Sequence, residues 1–106
     1  SKYWWLNGKC HREDGPAVED ADGSKTWYVN GKRHRVDGPA VEYSDGSKYW
    51  YLNDKQHRED GPAVEGLNGY REWWIEDKQV TRQEHWDLTY KQEMIKKSSR
   101  LELIED

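Results

Sequence analysis

Residues 45–65 read DGSKYWYLNDKQHREDGPAVE, and similar stretches recur along most of the chain, which makes this unit the basis of the predicted architecture. The period is 23 residues and contains no insertion. Equivalent residues of successive copies are separated by this period. They are the tryptophans Trp4, Trp27, Trp50 and Trp73; the histidines His11, His34 and His57; the pairs Gly15-Pro16, Gly38-Pro39 and Gly61-Pro62; and the lysines Lys9, Lys32, Lys55 and Lys78. About three and a half copies are present, so we predict a repeat protein in which each unit packs on its neighbours.

Each unit carries two turn signals that are typical of β-hairpins, because Asp-Gly and Asn-Gly pairs favour the positive φ angles of type I′ turns. The first turns are Asp22-Gly23, Asp45-Gly46 and, in the last copy, Asn68-Gly69, and the second are Asn7-Gly8 and Asn30-Gly31, with weaker counterparts at Asn53-Asp54 and Glu76-Asp77. Short strands such as Pro39–Tyr43 and Lys48–Leu52 flank the first turn, and an HRxDGP connection leads to the next hairpin. The predicted fold class is mainly β, with tandem 23-residue β-hairpins in one elongated twisted antiparallel sheet.

The second strand of each unit has two faces, since successive side chains point to opposite sides of a sheet. One face combines a tryptophan with an aliphatic side chain and is the predicted core, formed by Lys25, Trp27 and Val29, by Lys48, Trp50 and Leu52, and by Arg71, Trp73 and Ile75. The other face is aromatic, and a one-layer sheet cannot cover it with its own core. Tyrosine and tryptophan are enriched in interface hot spots, so this face is the predicted partner-binding surface, formed by Trp5, Tyr28, Tyr49, Tyr51 and Trp74.

The repeat ends after Lys78, and a C-terminal helix is predicted to begin at Thr81. Thr81 and Glu84 have the spacing of a capping box. A helical stripe of Trp86, Tyr90 and Ile95 extends the prediction to about Lys97, and Leu101, Leu103 and Ile104 form a final strand or a tail. The chain therefore divides into a hairpin array at 1–80 and a helix with tail at 81–106, where the helix either caps the array or contacts a partner.

The composition favours an ordered protein and narrows the class of partner. Charged residues make up 36% of the chain and mean hydropathy is −1.34, which leans toward disorder, but seven Trp and seven Tyr at fixed spacing can bury large apolar areas. The net charge of −4 argues against a nucleic-acid partner. One cysteine, Cys10, with no signal peptide and no membrane-spanning run, favours a cytoplasmic protein; contact with a membrane surface is left open.

The histidine row suggests metal binding or catalysis. Its spacing argues against a metal site, and the absence of a recurring nucleophile argues against catalysis. Equivalent residues of adjacent repeats lie two strands apart, about 9–10 Å, whereas zinc ligands lie within about 2.1 Å of the ion. No serine or cysteine recurs beside the histidines. We therefore predict no catalytic residue, no metal and no cofactor, and expect each histidine to hydrogen-bond within its own connection, to Asp14, Asp37 or Asp60.

An arginine row gives an alternative site. Anionic ligands such as nucleotides or lipid headgroups suit arginines beside aromatic rings, and the candidate residues are Arg12, Arg35, Arg58, His11, His34 and His57. The other interpretation is that each arginine pairs with an acidic residue of its own motif, for example Glu13 or Glu59. The near balance of charge within each unit favours this pairing.

The run NGKRH at 30–34, followed by DGSK at 45–48, resembles the MORN repeat (membrane occupation and recognition nexus) over roughly residues 1–80. MORN units have a glycine directly after the histidine, and the HRxDGPA form found here is similar to a variant common in bacteriophage and giant-virus proteins. The resemblance implies hairpins side by side in one twisted sheet, binding or scaffolding roles, and no catalytic residues.

Together these observations predict a non-enzymatic module that binds a protein partner. The viral resemblance sharpens this to a phage-encoded inhibitor of a host defence factor, acting in the host cytoplasm. A homodimer through the aromatic face or through the open sheet edge at residues 1–7 would use the same surfaces. The alternatives are the anion binder described above and a purely structural or assembly repeat.

Overall fold

The computed structural model describes residues 1–89. This part of the chain is mainly β, which confirms the predicted class: fourteen short strands pair in antiparallel fashion and a single α-helix follows them. The strands are β1 Lys2–Tyr3, β2 Trp5–Leu6, β3 Lys9–Cys10, β4 Val18–Glu19, β5 Lys25–Thr26, β6 Tyr28–Val29, β7 Lys32–Arg33, β8 Val41–Glu42, β9 Lys48–Tyr49, β10 Tyr51–Leu52, β11 Lys55–Gln56, β12 Val64–Glu65, β13 Arg71–Ile75 and β14 Lys78–Val80, and the helix is α1 Arg82–Leu88.

Eight of these strands form the main sheet, in the order β1-β4-β5-β8-β9-β12-β13-β14. The remaining strands form three hairpins, β2–β3, β6–β7 and β10–β11, which we call the hairpin row. Successive hairpins are joined by backbone hydrogen bonds, for example from Gly31 N–H to the Cys10 carbonyl and from Asp54 N–H to the Arg33 carbonyl, both at 2.9 Å. In the last copy β13 is unbroken and pairs with both β12 and β14, so the hairpin row joins the main sheet there.

In the first three copies the long strand of the unit is interrupted at its tryptophan, at Trp4, Trp27 and Trp50. Trp50 separates β9 from β10 and donates its backbone N–H to the Ala63 carbonyl at 2.8 Å. The prediction of one strand over 48–52 is therefore wrong, because the chain passes from the main sheet into the hairpin row at this residue. The predicted strand over 39–43 is also shortened, to Val41–Glu42.

The two kinds of turn differ. Asn30 and Gly31 both have positive φ, 53° and 78°, as a type I′ turn requires. At the Asp-Gly pairs the type I′ prediction is wrong, since Gly46 has a φ of 97° while Asp45 does not lie in the positive region. The Asp45 carboxylate instead accepts the Ser47 N–H at 2.8 Å, which closes a local Asx turn and lengthens the loop.

The core consists of small side chains. Ala17, Ala40 and Ala63 are completely buried, and Val41 and Val64 are nearly so. The tryptophans that were predicted to form the core are only half-buried, and they are Trp27, Trp50 and Trp73. In a thin sheet without a second layer only a short side chain is covered on all sides. The prediction that tryptophans form the core is therefore wrong, because the alanines and valines are the most buried apolar residues.

The helix begins with the predicted capping box. The Thr81 hydroxyl accepts the Glu84 N–H at 3.0 Å, and the Glu84 carboxylate accepts the Thr81 N–H at 2.8 Å. In the described residues α1 ends at Leu88. The predicted extension to about Lys97, with Tyr90, Ile95 and the tail residues Leu101, Leu103 and Ile104, lies outside them.

The buried side chain of the helix is His85, which is 2% exposed, whereas Trp86 of the predicted stripe is 41% exposed. The helix packs against β13, and His85 Nε2 lies 2.6 Å from the Arg58 carbonyl oxygen. The imidazole of His85 thus contacts a backbone carbonyl of the HRxDGP connection at residues 57–62, and this contact holds the helix against the third repeat. Among residues 1–89 no helix has the length and apolar character to cross a membrane.

Candidate binding site

The register of the main sheet sorts its side chains into two rows, because neighbours along a strand point to opposite faces. One row alternates in charge and belongs to the tryptophan side of the sheet: Lys2, Glu19, Lys25, Glu42, Lys48, Glu65 and Arg71. The other row is largely uncharged: Tyr3, Val18, Thr26, Val41, Tyr49, Val64 and Glu72. We call the side that carries this second row the aromatic face.

The residues predicted to bind a partner lie on the aromatic face. Four of them hold equivalent positions in the hairpin row or its continuation in β13, one repeat apart: Trp5, Tyr28, Tyr51 and Trp74. We call these positions the rungs of the face. Tyr49 lies in β9, in the second row of the main sheet, and the rung at Tyr51 follows it after the interruption at Trp50.

Three further tyrosines, Tyr3, Tyr43 and Tyr70, are each at least half exposed, and sequence reasoning missed them. Tyr3 holds the position of Tyr49 two repeats earlier, so the period could have revealed it. Tyr43 and Tyr70 flank the first turns, away from the rungs. Tyr43 makes an edge-on contact with Tyr49, with ring centroids 5.6 Å apart, which brings it onto the aromatic face.

The centre of the aromatic face is a tyrosine cluster around one arginine. The Arg33 guanidinium lies 4.1 Å from the centroid of the Tyr51 ring, and its Nε donates to Asp54 Oδ1 at 2.8 Å. This hydrogen bond lowers the pKa of Asp54, so the carboxylate stays charged and neutralises Arg33. Burial raises the pKa of Tyr28 and of Tyr51, so both phenols are protonated hydrogen-bond donors at neutral pH.

The end of the aromatic face near the helix is acidic. Glu72 accepts hydrogen bonds from the Tyr70 hydroxyl and, at 2.9 Å, from Trp74 Nε1. The bond to Glu72 raises the pKa of Tyr70. Glu72 occupies the position held by Tyr49 one repeat earlier, so the last repeat replaces an aromatic ring by a carboxylate held between two aromatic donors.

The arginine row lies on the opposite side, against the tryptophans. Each arginine Cζ lies 3.9–4.0 Å from a ring centroid of its own repeat, in the pairs Arg12–Trp4, Arg35–Trp27 and Arg58–Trp50. Arg35 also donates from Nε to Asp37, and from Nη1 to the Pro39 carbonyl and to Glu42, each at 3.1 Å. The same bonds recur at Arg12 and Arg58. Pairing within the chain was predicted, but Glu13 and Glu59 are the wrong partners.

The connections of the second and third repeats line an open groove of about 650 Å³ that includes Arg35 and Arg58. Its rim carries the exposed carboxylates of Asp37, Glu59 and Asp60. Each arginine in the groove therefore already faces two carboxylates and an aromatic ring. An anionic ligand at this row would have to compete with those carboxylates for the guanidinium groups.

Each histidine of the repeat joins its unit to the next one. The acceptor is Nδ1 and the donors are the backbone N–H groups of the second turn, in the pairs His11–Asn30 at 3.0 Å, His34–Asn53 at 3.0 Å and His57–Glu76 at 2.9 Å. The predicted bonds to Asp14, Asp37 or Asp60 are wrong, because those aspartates accept from the arginines. Within residues 1–89 no three His, Cys, Asp or Glu side chains are grouped to hold a metal ion.

Replacing His34 by phenylalanine is expected to lower the free energy of unfolding by about 1 kcal/mol, because the Asn53 N–H loses its acceptor. Urea denaturation followed by tryptophan fluorescence measures the change. The matched control is His34→Asn, whose Oδ1 can take the place of Nδ1 and should recover part of the loss. Equal losses in the two variants would contradict the role of the acceptor.

Comparison with known proteins gives no match: no protein-family model matches the chain, and no curated protein and no solved structure is significantly similar to it. The resemblance to MORN repeats therefore stays a prediction that rests on the quoted residues. The predicted homodimer also stays a prediction. Pairing through the sheet edge would use β1, which is an outer strand of the main sheet.

Proposed function

We propose that the chain is a non-enzymatic repeat module that binds a protein partner through its aromatic face. The observation that carries the proposal is the separation of the two kinds of aromatic residue. Within residues 1–89 the tyrosines gather on the aromatic face, at Tyr3, Tyr28, Tyr43, Tyr49, Tyr51 and Tyr70, while the repeat tryptophans Trp4, Trp27, Trp50 and Trp73 lie on the other side, three of them beneath arginines.

The aromatic rings are covered on the tryptophan side and partly exposed on the aromatic face, although Val41 and Val64 of that face are buried. The tryptophans of the first three repeats are stacked beneath guanidinium groups, whereas Tyr3, Trp5, Tyr43 and Tyr70 remain half or more exposed. Large contiguous aromatic patches on a protein surface mark interaction sites. Tyrosine offers a large rigid contact area with few rotatable bonds, which makes it effective in interfaces.

The charge pattern of the aromatic face supports a protein ligand over a polyanion. Its central cation, Arg33, is neutralised by Asp54, and its end carries the carboxylate of Glu72. Tyrosine, tryptophan and arginine are the residues enriched in the cores of protein interfaces, and this composition matches the centre of the aromatic face. A nucleic-acid site would instead need several free cations.

The narrower proposal is that the chain is a MORN-like phage protein that inhibits a host defence factor in the host cytoplasm. The resemblance of the HRxDGPA motif to viral MORN variants supports it. Repeat scaffolds host many unrelated functions, so identification of the captured protein decides this part of the proposal.

The test is capture of proteins from a bacterial lysate by the immobilised chain, with and without nuclease. We expect a nuclease-resistant, stoichiometric protein whose retention falls at least tenfold with the double substitution Tyr28→Ala and Tyr51→Ala, because two central aromatic contacts are lost. The matched control is Lys25→Ala with Lys48→Ala, which removes two exposed side chains from the other side of the sheet. Circular dichroism checks that both variants are folded.

Two outcomes would contradict the proposal. Full retention by the tyrosine variant would exclude the aromatic face as the binding surface. Loss of the captured protein on nuclease treatment, combined with a steep fall in retention as the salt concentration is raised, would favour the anion-binding alternative instead.

A further inference from the structure

We infer that the ligand of the aromatic face is a proline-rich segment in the polyproline II conformation with a basic residue at one end. This inference rests on the proposed function and names the chemistry of the partner. Three features of the aromatic face carry it: the spacing of its rungs, its free hydroxyl groups and the charge at its end near the helix.

The first feature is the spacing of the rungs. Successive rungs such as Tyr28 and Tyr51 are separated by two strands of the hairpin row, which is about 9.6 Å at the usual strand spacing. A polyproline II helix advances about 9.3 Å per turn of three residues. Prolines at every third position would therefore meet successive rungs with an offset of only about 0.3 Å per rung.

Other backbone conformations fit the spacing less well. An α-helix brings equivalent side chains back to one face after seven residues, about 10.5 Å, so its offset is about 1 Å per rung. An extended strand repeats one face at about 6.8 Å and 13.6 Å, which misses the rungs. Because neighbouring strands twist by about 20–25°, a straight ligand contacts two or three rungs, and Tyr28, Tyr51 and Trp74 form the continuous set nearest Glu72.

The second feature is the hydrogen-bonding capacity of the face. Within residues 1–89, the hydroxyl groups of Tyr28, Tyr49 and Tyr51 donate to no side chain and to no carbonyl. A polyproline II segment has no internal hydrogen bonds and presents its carbonyl groups as acceptors. An α-helix satisfies its own carbonyls along most of its length, so it would leave these tyrosine donors without a partner.

The third feature is charge. Arg33 is neutralised by Asp54, so the centre of the face suits an uncharged ligand. Glu72 lies beside the last rung, Trp74, and its carboxylate accepts hydrogen bonds from the Tyr70 hydroxyl and from Trp74 Nε1. A basic side chain at one end of the ligand complements this carboxylate and can stack on the adjacent rings, which also sets the direction in which the ligand lies.

The experiment measures binding of a fluorescent synthetic peptide with proline at every third residue and a terminal arginine, using the full chain. The control peptide carries alanine at each proline position and keeps the arginine. We expect the proline peptide to bind at least tenfold more tightly, with a further tenfold loss for Tyr51→Ala and about a tenfold loss for Glu72→Gln. Lys48→Ala, on the opposite side of the sheet, should leave the affinity unchanged.

Equal binding of the two peptides would overturn the inference and favour a helical or irregular ligand. No binding of either peptide, with a lysate protein still retained through Tyr28 and Tyr51, would also overturn it while the proposed function stands. Failure of both experiments would remove the proposed function as well. Loss of affinity with Tyr51→Ala but not with Glu72→Gln would overturn the assignment of the basic residue.

Discussion

Replacing Arg35 by alanine is expected to lower the free energy of unfolding by about 3 kcal/mol. The side chain is only 24% exposed, stacks on Trp27, and bonds to two carboxylates and one carbonyl. A partly desolvated cation–π contact contributes about 1–2 kcal/mol, and hydrogen bonds to charged groups contribute about 1.5–3 kcal/mol. Truncation also leaves the half-buried Glu42 without its cation. Urea denaturation, with tryptophan fluorescence as the signal, gives the free energy.

The matched control for this prediction is Arg33→Ala. Arg33 also stacks on a ring, but it is more exposed, at 37%, and pairs with one carboxylate, so its loss should be below about 1 kcal/mol. A second variant, Gly38→Ala, tests the stacking geometry. Its added Cβ would lie 2.9 Å from Arg35 Cζ, so it should displace the guanidinium group and lower the free energy of unfolding. Equal losses for Arg33→Ala and Arg35→Ala would contradict the central role of the arginine row in stability.

The second large effect is expected for Ala40→Leu, which should lower the free energy of unfolding by about 2–3 kcal/mol. Ala40 is completely buried, and its backbone is held on both sides, with its N–H bonded to the Tyr49 carbonyl at 2.8 Å and its carbonyl accepting the Trp27 N–H at 2.7 Å. The backbone at Ala40 cannot shift to make room without breaking these bonds, so the larger side chain must distort its neighbours. Thermal and urea unfolding both measure the loss.

Ala21→Leu provides the control for that substitution, because Ala21 is an exposed residue in the first turn. A surface change of this kind should alter the free energy of unfolding by less than about 0.5 kcal/mol. Comparable effects at the two alanines would show that position 40 tolerates a larger side chain and that the core is less tightly packed than its burial indicates.

Local chemistry was enough to predict much of the fold. The 23-residue period predicts hairpins, the Asn-Gly pairs predict turns with positive φ, and Thr81 with Glu84 predicts the start of the helix. The side-chain alternation along each second strand also predicts the face that carries Tyr28 and Tyr51. The turns, the cap and the alternation depend on residues within a few positions of each other, and the period is visible when the copies are compared, so the sequence alone contains the information.

The members of the candidate site were predicted less completely. Trp5, Tyr28, Tyr49, Tyr51 and Trp74 follow from alternation, but Tyr43 joins the face only through its contact with Tyr49. Glu72 has no special pattern in the sequence, and its importance follows from the two donors that meet it. Contacts across a turn or between strands are not encoded by spacing along one strand, so sequence reasoning could not find them.

The repeat, its hairpins and the two different faces of its strands follow from the order of the amino acids, because period and alternation are properties of the chain before it folds. The partners of the polar groups depend on how the repeats pack on one another. His34 bonds to Asn53, 19 residues away, rather than to the nearby Asp37, and His85 reaches Arg58 across 27 residues. Such choices depend on which backbone groups the packing of one repeat on the next leaves without a ladder partner, and that is settled only when the repeats are assembled.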